Sequence, residues 1–193
     1  MLFISGNFIK RIKYFILLLI TLGVLFWISS HKDDILKYFY PTKYSEYVYK
    51  YSKQYNIDPY LVFSIIRVES HFDAAAQSKI GAKGLMQVTD STGEWASNKI
   101  KLKNYDNQLL FEPEFNIMIG CWYLNNLTNQ FDGNVILALT AYNGGSGNVQ
   151  KWLRDKELSS TGESLDKIPY GETERYVDNV KKDYSVYKSL YAK

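Results

Sequence analysis

Hydrophobic positions fall into two regimes along this chain. Between Tyr14 and Ile28 they are continuous, in the uncharged run YFILLLITLGVLFWI. Beyond Asp33 they recur at helical spacing, separated by polar residues, and no strand-like alternation of any length competes. Asp33 to Tyr55 is polar and tyrosine-rich and reads as a helix leading into the globular part. Asn56-Ile57-Asp58-Pro59 then marks a helix start, with Asp58 as the N-cap and Pro59 at the first helical position. Leu61, Val62, Ile65 and Ile66 follow at helical spacing and predict a helix to about Ser70 with one buried face. Gly81 and Gly84 punctuate a loop, and Ser91-Thr92-Gly93-Glu94 has the spacing of a capping box that opens another helix.

Pro113 begins a longer helix through Ile117, Gly120, Tyr123, Leu124 and Leu127, and Asp132-Gly133 ends it. Val135 to Tyr142 predicts a compact apolar helix, Asn143 to Gly147 a turn, and Val149 to Leu153 a short helix. A polar loop from Glu157 to Lys167 precedes a last helix carrying Tyr176, Val177, Val180, Tyr184 and Tyr187. The expected fold class is therefore all-α. The expected division is a signal anchor or transmembrane segment over residues 1–30, a connector over 31–46 and a globular domain over 47–193.

The terminal apolar run is preceded by Lys10, Arg11 and Lys13 and followed by Lys32, Asp33 and Asp34. It is short for a bilayer span, which takes about 20 residues, so a cleaved signal peptide and an uncleaved anchor both stay open. No small-x-small cleavage site follows it, and the only cysteine, Cys121, lies too far downstream to be a lipobox. Both facts favour the anchor. The one-sided basic cluster then places the amino terminus in the cytoplasm and the remainder outside, facing the cell envelope.

Composition narrows the function classes. A net charge of +3 from 23 basic and 20 acidic residues is too mild for a nucleic-acid partner. One cysteine rules out an internal disulfide, and Cys121, within IMIGCW, reads as a core residue. His31 and His71 stand far apart without helix-spaced partners, so neither a metal site nor a cofactor is expected.

Glu69 is the residue with the clearest chemical signal. It follows Ile65 and Ile66 by four and three positions, so it projects near the buried face of its helix. It also stands at the carboxyl end, where the helix dipole disfavours an anion. Both effects raise its pKa toward a group protonated near neutrality, which is what a general acid requires. A solvated or salt-bridged surface Glu has the same spacing, so position alone does not decide between them.

Four blocks in order do more. Glu69-Ser70-His71-Phe72, Ser78 and Gly81-Ala82-Lys83-Gly84-Leu85-Met86-Gln87-Val88 resemble the first signature of the soluble lytic transglycosylase family. Pro113 to Ile117 with Gly120 and Tyr123-Leu124 is similar to its second block, and Ala141-Tyr142-Asn143-Gly144-Gly145 to its third. Ile168 to Thr173 with Tyr176-Val177 is similar to the fourth. The resemblance runs from about Tyr55 to Tyr184. It departs at Asp90, where the family often has proline, and at Gly144, where alanine is common.

The resemblance implies a goose-lysozyme-like helical fold with a saccharide groove, acting on peptidoglycan glycan strands. It implies that Glu69 protonates the oxygen between N-acetylmuramic acid and N-acetylglucosamine. Glu69 then acts as base toward the muramic C6 hydroxyl, leaving a 1,6-anhydro end. Because that nucleophile belongs to the substrate, no second carboxylate has to activate water, unlike the two-carboxylate glycosidase scheme. By the same resemblance Ser78 polarises the N-acetyl group or positions Glu69, Gln87 donates hydrogen bonds to the acetamido group or glycan hydroxyls, and Tyr142 brings its hydroxyl near Glu69. Met86 stands in the same block, as a groove residue or as packing beneath the groove. Asn143 binds substrate or shapes its turn, and Glu172 either steadies positive charge at C1 or sits in a favourable first helical turn. Two alternatives remain: a lysozyme-type hydrolase on the same fold, and a non-catalytic wall-binding module of an envelope assembly. Protein partners are not legible in the sequence.

Overall fold

In the computed structural model, residues 6–192 are described and form two compact units, the first ending at Pro41 and the second beginning at Thr42. The first unit holds α1 (Gly6–Ser30) and α2 (Lys32–Phe39). At 1.5 Å per residue the 25-residue α1 is about 37 Å long. Its stretch from Lys13 to Ser30 is apolar and long enough to cross a membrane, and no residue of it is buried within the chain. The helix extends beyond the apolar run because Lys10, Arg11 and Lys13 continue it on the amino-terminal side.

The second unit contains α3 (Ser45–Gln54), α4 (Pro59–Ser70), α5 (Asp90–Lys99), α6 (Pro113–Gln130), α7 (Val135–Gly144), α8 (Ser146–Arg154) and α9 (Gly171–Tyr191), with a 3₁₀ turn at Asn107–Phe111. No strand is present among the described residues; Gln77, Lys83 and Val88 make only isolated bridges. The predicted starts of α4 and α6 are found in place. Asp58 caps α4 by accepting from the Tyr60 N–H at 2.9 Å, ahead of Pro59, and Pro113 opens α6.

Several boundaries differ from expectation. The single helix expected over Asp33 to Tyr55 is two, because Pro41 denies the backbone a donor and Tyr44 adopts a left-handed conformation at φ 59°. α5 starts at Asp90 rather than after Ser91, since the Thr89 hydroxyl takes the N-cap role, accepting from the Thr92 N–H. α7 runs on through Gly144, and the turn contracts to Gly145, whose φ of +84° suits only glycine.

α4 is central. Leu61 to Ile66 are all buried, so the helix is wrapped on more than the one face its pattern predicts. It packs along α9, where Val177, Val180 and Tyr187 are buried, and beside α3; α6 and α7 close the core with Ile117, Ile119, Leu124, Leu137 and Leu139. Gly144 permits close approach of α7 to α9: a Cβ there would stand 3.2 Å from the Thr173 side chain. The consequence for chemistry is that an apolar, tightly held helix delivers Glu69 from its last turn.

Candidate active site

Glu69 is the penultimate residue of α4, and His71 ends the helix in a left-handed conformation (φ 51°). The chain then enters a loop that returns to α4 through hydrogen bonds rather than through apolar contact alone. The Ser70 hydroxyl donates to the Leu85 carbonyl at 2.8 Å, shared with Ile66 at 3.1 Å. The fully buried Asn116 of α6 holds the same loop. Its Oδ1 accepts from the Met86 N–H at 2.7 Å, and its Nδ2 donates to the carbonyls of Lys83 (2.8 Å) and Leu110 (2.7 Å). Every polar atom of this buried amide is thus used, the condition for keeping one in a core. Gly84 is required by the same clamp. Its φ is +71°, and a Cβ would stand 2.2 Å from the Leu110 carbonyl and 2.4 Å from Asn116 Nδ2.

Within this frame Glu69, Ser78, Gln87, Tyr142, Asn143 and Glu172 line one recess of about 360 Å³, together with Lys79, Ile80, Ala82 and Thr89. Burial raises the Glu69 carboxyl from its ordinary 4.5 to about 7, and the Tyr176 side chain opposes part of that rise by favouring the carboxylate. The Tyr176 hydroxyl is itself buried and makes no hydrogen bond of ordinary geometry among the described residues. Its own pKa is driven well above the usual phenol value by burial and by the Glu69 charge.

The Tyr142 hydroxyl donates to the Met86 carbonyl at 2.8 Å, and burial, with the nearby Glu69 charge, drives its pKa well above the usual phenol value. Ser78 Oγ accepts from the Ala82 N–H at 3.0 Å, which leaves its proton to donate elsewhere. Gln87 adopts a left-handed backbone (φ 48°), an uncommon choice for a side chain of its size. Its Nε2 donates both protons, to the carbonyls of Gly84 (2.9 Å) and Ala76 (3.2 Å). Two carbonyl partners fix which atom is nitrogen. What Gln87 presents is therefore Oε1, an acceptor, where the sequence suggested a donor.

Met86 is the predicted residue whose side chain the structure does not bring to the recess. It is fully buried against Gly120, where a Cβ would lie 2.3 Å from the Met86 sulfur, and only its carbonyl faces Tyr142. Asp90, standing in place of the expected proline, pairs at 2.7 Å with Lys83, whose ammonium is otherwise buried under Phe111. Among the described residues no three His, Cys, Asp or Glu side chains converge as a metal ion needs. A separate recess flanked by Ile57, Leu61, Val135 and Ile136 is mostly apolar, and the carboxylate that borders it, Asp58, is engaged by the Tyr60 N–H, the Tyr184 hydroxyl and Lys188.

A family model described as the transglycosylase SLT domain matches residues 46–163, more than half of the chain. The chain belongs to this SLT family. It is 35% identical over 162 residues to the soluble lytic murein transglycosylase of Salmonella typhimurium, covering 82% of this chain and 25% of that protein. It is 34% identical over 166 residues to the membrane-bound lytic murein transglycosylase C of Sodalis glossinidius, covering 74% and 46%. Among solved structures, the 70 kDa soluble lytic transglycosylase of Escherichia coli superposes with a TM-score of 0.72 at 31% identity, over 80% of this chain and 25% of that one. An inactive Glu-to-Gln mutant of the lytic transglycosylase Slt of Pseudomonas aeruginosa does so with a TM-score of 0.70 at 31% identity, again over 80% and 25%. The fold is thus the lysozyme-like SLT domain. The chain spans about a quarter of the length of these soluble relatives.

Three residues that support this recess escaped the sequence reading. Asn116 and Tyr176 were visible only as parts of blocks, and Ser70 only as the neighbour of Glu69. Asn116 did carry a signal: with Gly120 and Leu124 it lies on one buried stripe of α6, and a polar residue there has to be satisfied by something.

Proposed function

We propose that this chain is a membrane-anchored peptidoglycan lytic transglycosylase that cleaves the N-acetylmuramic acid–β-1,4-N-acetylglucosamine bond. The observation that carries the proposal is Glu69: a carboxylic acid with its pKa raised to about 7 by burial, in a recess it shares with hydroxyls, amides and a tyrosine, with the exposed Glu172 at its border. Protonated, it donates to the glycosidic oxygen as the C1–O bond breaks, so the leaving sugar departs as a neutral alcohol. Ionised by that step, it takes the proton of the muramic C6 hydroxyl as that oxygen bonds to C1, which regenerates the acid and leaves the 1,6-anhydro ring. Ser78 donates its remaining proton to the N-acetyl carbonyl, and Gln87 Oε1 accepts from an acetamido N–H or a hydroxyl. Asn143 and Glu172 border the same recess, where the Glu172 carboxylate steadies charge at C1. The names of the soluble and membrane-bound relatives support both the reaction and the setting.

A second reading has one feature in its favour. Glu172 supplies another carboxylate in the recess, as a hydrolase that activates water would need. Mass spectrometry of peptidoglycan digested by the protein separates the two. Anhydro-muramic ends are expected; reducing ends, heavier by one water, would establish the hydrolase, and no release at all would favour a wall-binding module.

Residues 1–30 act in this proposal as a single-pass anchor, residues 31–46 as a connector, and residues 47–193 as the catalytic domain outside the cytoplasmic membrane. Recovery of soluble protein with a trimmed amino terminus from cells, without detergent, would overturn the anchor.

A further inference from the structure

Lys83 stands between the two segments that bring Ser78 and Gln87 to the recess. It exchanges both backbone hydrogen bonds with Val88, its N–H donating at 2.9 Å and its carbonyl accepting at 3.0 Å, which closes the turn that carries Gln87. On its other side it bridges to Gln77, and the Ser78 N–H donates to the Ala82 carbonyl at 2.9 Å. The Lys83 side chain leaves this arrangement: its Nζ donates to Asp90 Oδ1 at 2.7 Å and lies 5.8 Å from the centre of the Phe111 ring. Asp90 is the first residue of α5 and follows Thr89, which caps that helix and also lines the recess. One ion pair therefore ties the wall carrying Ser78 and Gln87 to the wall carrying Thr89. Neither Lys83 nor Asp90 lines the recess itself.

The two partners are unequally buried. The Lys83 side chain is 8% exposed and that of Asp90 46%. A desolvated ammonium needs its counter-charge, whereas a half-exposed carboxylate is solvated without one. The backbone does not ask for aspartate at position 90. Thr89 already caps α5, and the first helical position suits proline, the residue common there in the family. What Asp90 brings is its charge. We propose that Asp90 is a positioning residue for substrate binding. By matching the charge of Lys83 it keeps that side chain buried, and with it Ser78 and Gln87 at the spacing that grips the acetamido group. Glu69 is delivered by α4 and stands outside this tie, so Asp90 governs binding of the sugar and leaves the acid's proton alone. The proposal rests on the glycan reading of the recess and adds what keeps its binding wall in register.

The test measures turnover of soluble, uncross-linked peptidoglycan strands by the full chain in detergent. Asp90→Asn and Asp90→Pro both keep the Thr89 cap and remove only the carboxylate. Each is expected to raise KM about tenfold, with kcat and the pH at which Glu69 loses its proton little changed. Adding Lys83→Met to either replaces the stranded ammonium with a side chain that stays buried uncharged. KM should then return to within about threefold of the parent's. The Gln87 side-chain amide signals in nitrogen-15 correlation spectra give a readout independent of turnover: they should shift in Asp90→Asn and return in the double variant. An Asp90→Pro protein with the parent's KM, a double variant no better than the single one, or Gln87 signals unmoved by Asp90→Asn overturns the positioning role. If the parent itself fails to cut the strands, the glycan reading falls, and the Gln87 signals still decide whether Asp90 positions this wall.

Discussion

The buried hydroxyl of Tyr176 faces Glu69 without a hydrogen bond of ordinary geometry among the described residues, and it offsets part of the rise in a carboxyl pKa that burial still leaves at about 7. The two effects act on one proton from opposite sides. Burial favours the acid that donates to the glycosidic oxygen; Tyr176 favours the carboxylate that must then act as base. Replacing Tyr176 with Phe removes only the second effect, so the Glu69 pKa should rise further. The alkaline limb of the kcat/KM profile, set by loss of the Glu69 proton, should move to higher pH, while activity at low pH changes little. An unmoved limb in a folded Tyr176→Phe protein would show that the phenol does not act on Glu69.

Glu69 also links folding to pH. Its folded pKa of about 7 lies above the ordinary 4.5, so the folded state holds the proton more tightly than the unfolded chain. That contribution is complete below about pH 4.5, is lost as pH rises toward 7, and is absent above. Glu69→Gln cannot ionise and escapes the loss. It should match the parent's stability at pH 4 and exceed it at pH 8 by roughly 1–3 kcal/mol, while turnover disappears. Thermal unfolding at the two pH values measures the difference, and equal stabilities at both would mean that Glu69 is not held in an apolar setting.

Asn116 reaches 30 positions back in sequence to Met86, and its removal should disturb the loop more than the helix. Asn116→Asp keeps the shape and the acceptor for the Met86 N–H but loses both donors. It then sets an anion or an acid against the carbonyls of Lys83 and Leu110. The expected cost is on the order of 3 kcal/mol in denaturant unfolding. Activity should fall along with stability, because Met86 offers its carbonyl to Tyr142. A stability close to that of the parent would mean that the loop is held by other bonds.

What was legible in the sequence, and what was not, divides along one physical line. Asp58-Pro59, Pro113 and Asp132-Gly133 act on the backbone next to them, so the start of α4 and both ends of α6 could be read. Glu69 could be singled out because its helix is apolar and ends there. Side-chain direction over long separations left no such trace. The left-handed backbone of Gln87 turns both its amide protons inward to Ala76 and Gly84. Met86 packs into the space that Gly120 leaves. Tyr176 shares a helical stripe with Val177 and Val180, and spacing alone does not distinguish a ring that fills space from one whose hydroxyl meets an acid. Thr89 displaced Ser91 as the cap of α5 because both are capping residues, and Asp90 is drawn to Lys83.

Glu172 separates the proposed reaction from its rival most directly. It lies in the first turn of α9, exposed, and borders the recess that contains Glu69. If its carboxylate only steadies positive charge at C1, solvent screens much of the effect. Glu172→Gln should then lower kcat by about tenfold, or ~1.4 kcal/mol of barrier, and products should keep their anhydro ends. The deficit should also narrow as ionic strength rises, since the parent's advantage is electrostatic. If Glu172 instead activates water, the same substitution should abolish turnover at every salt concentration, and the parent's products should be reducing ends. Rates and product masses measured together on parent and variant therefore decide which group attacks C1.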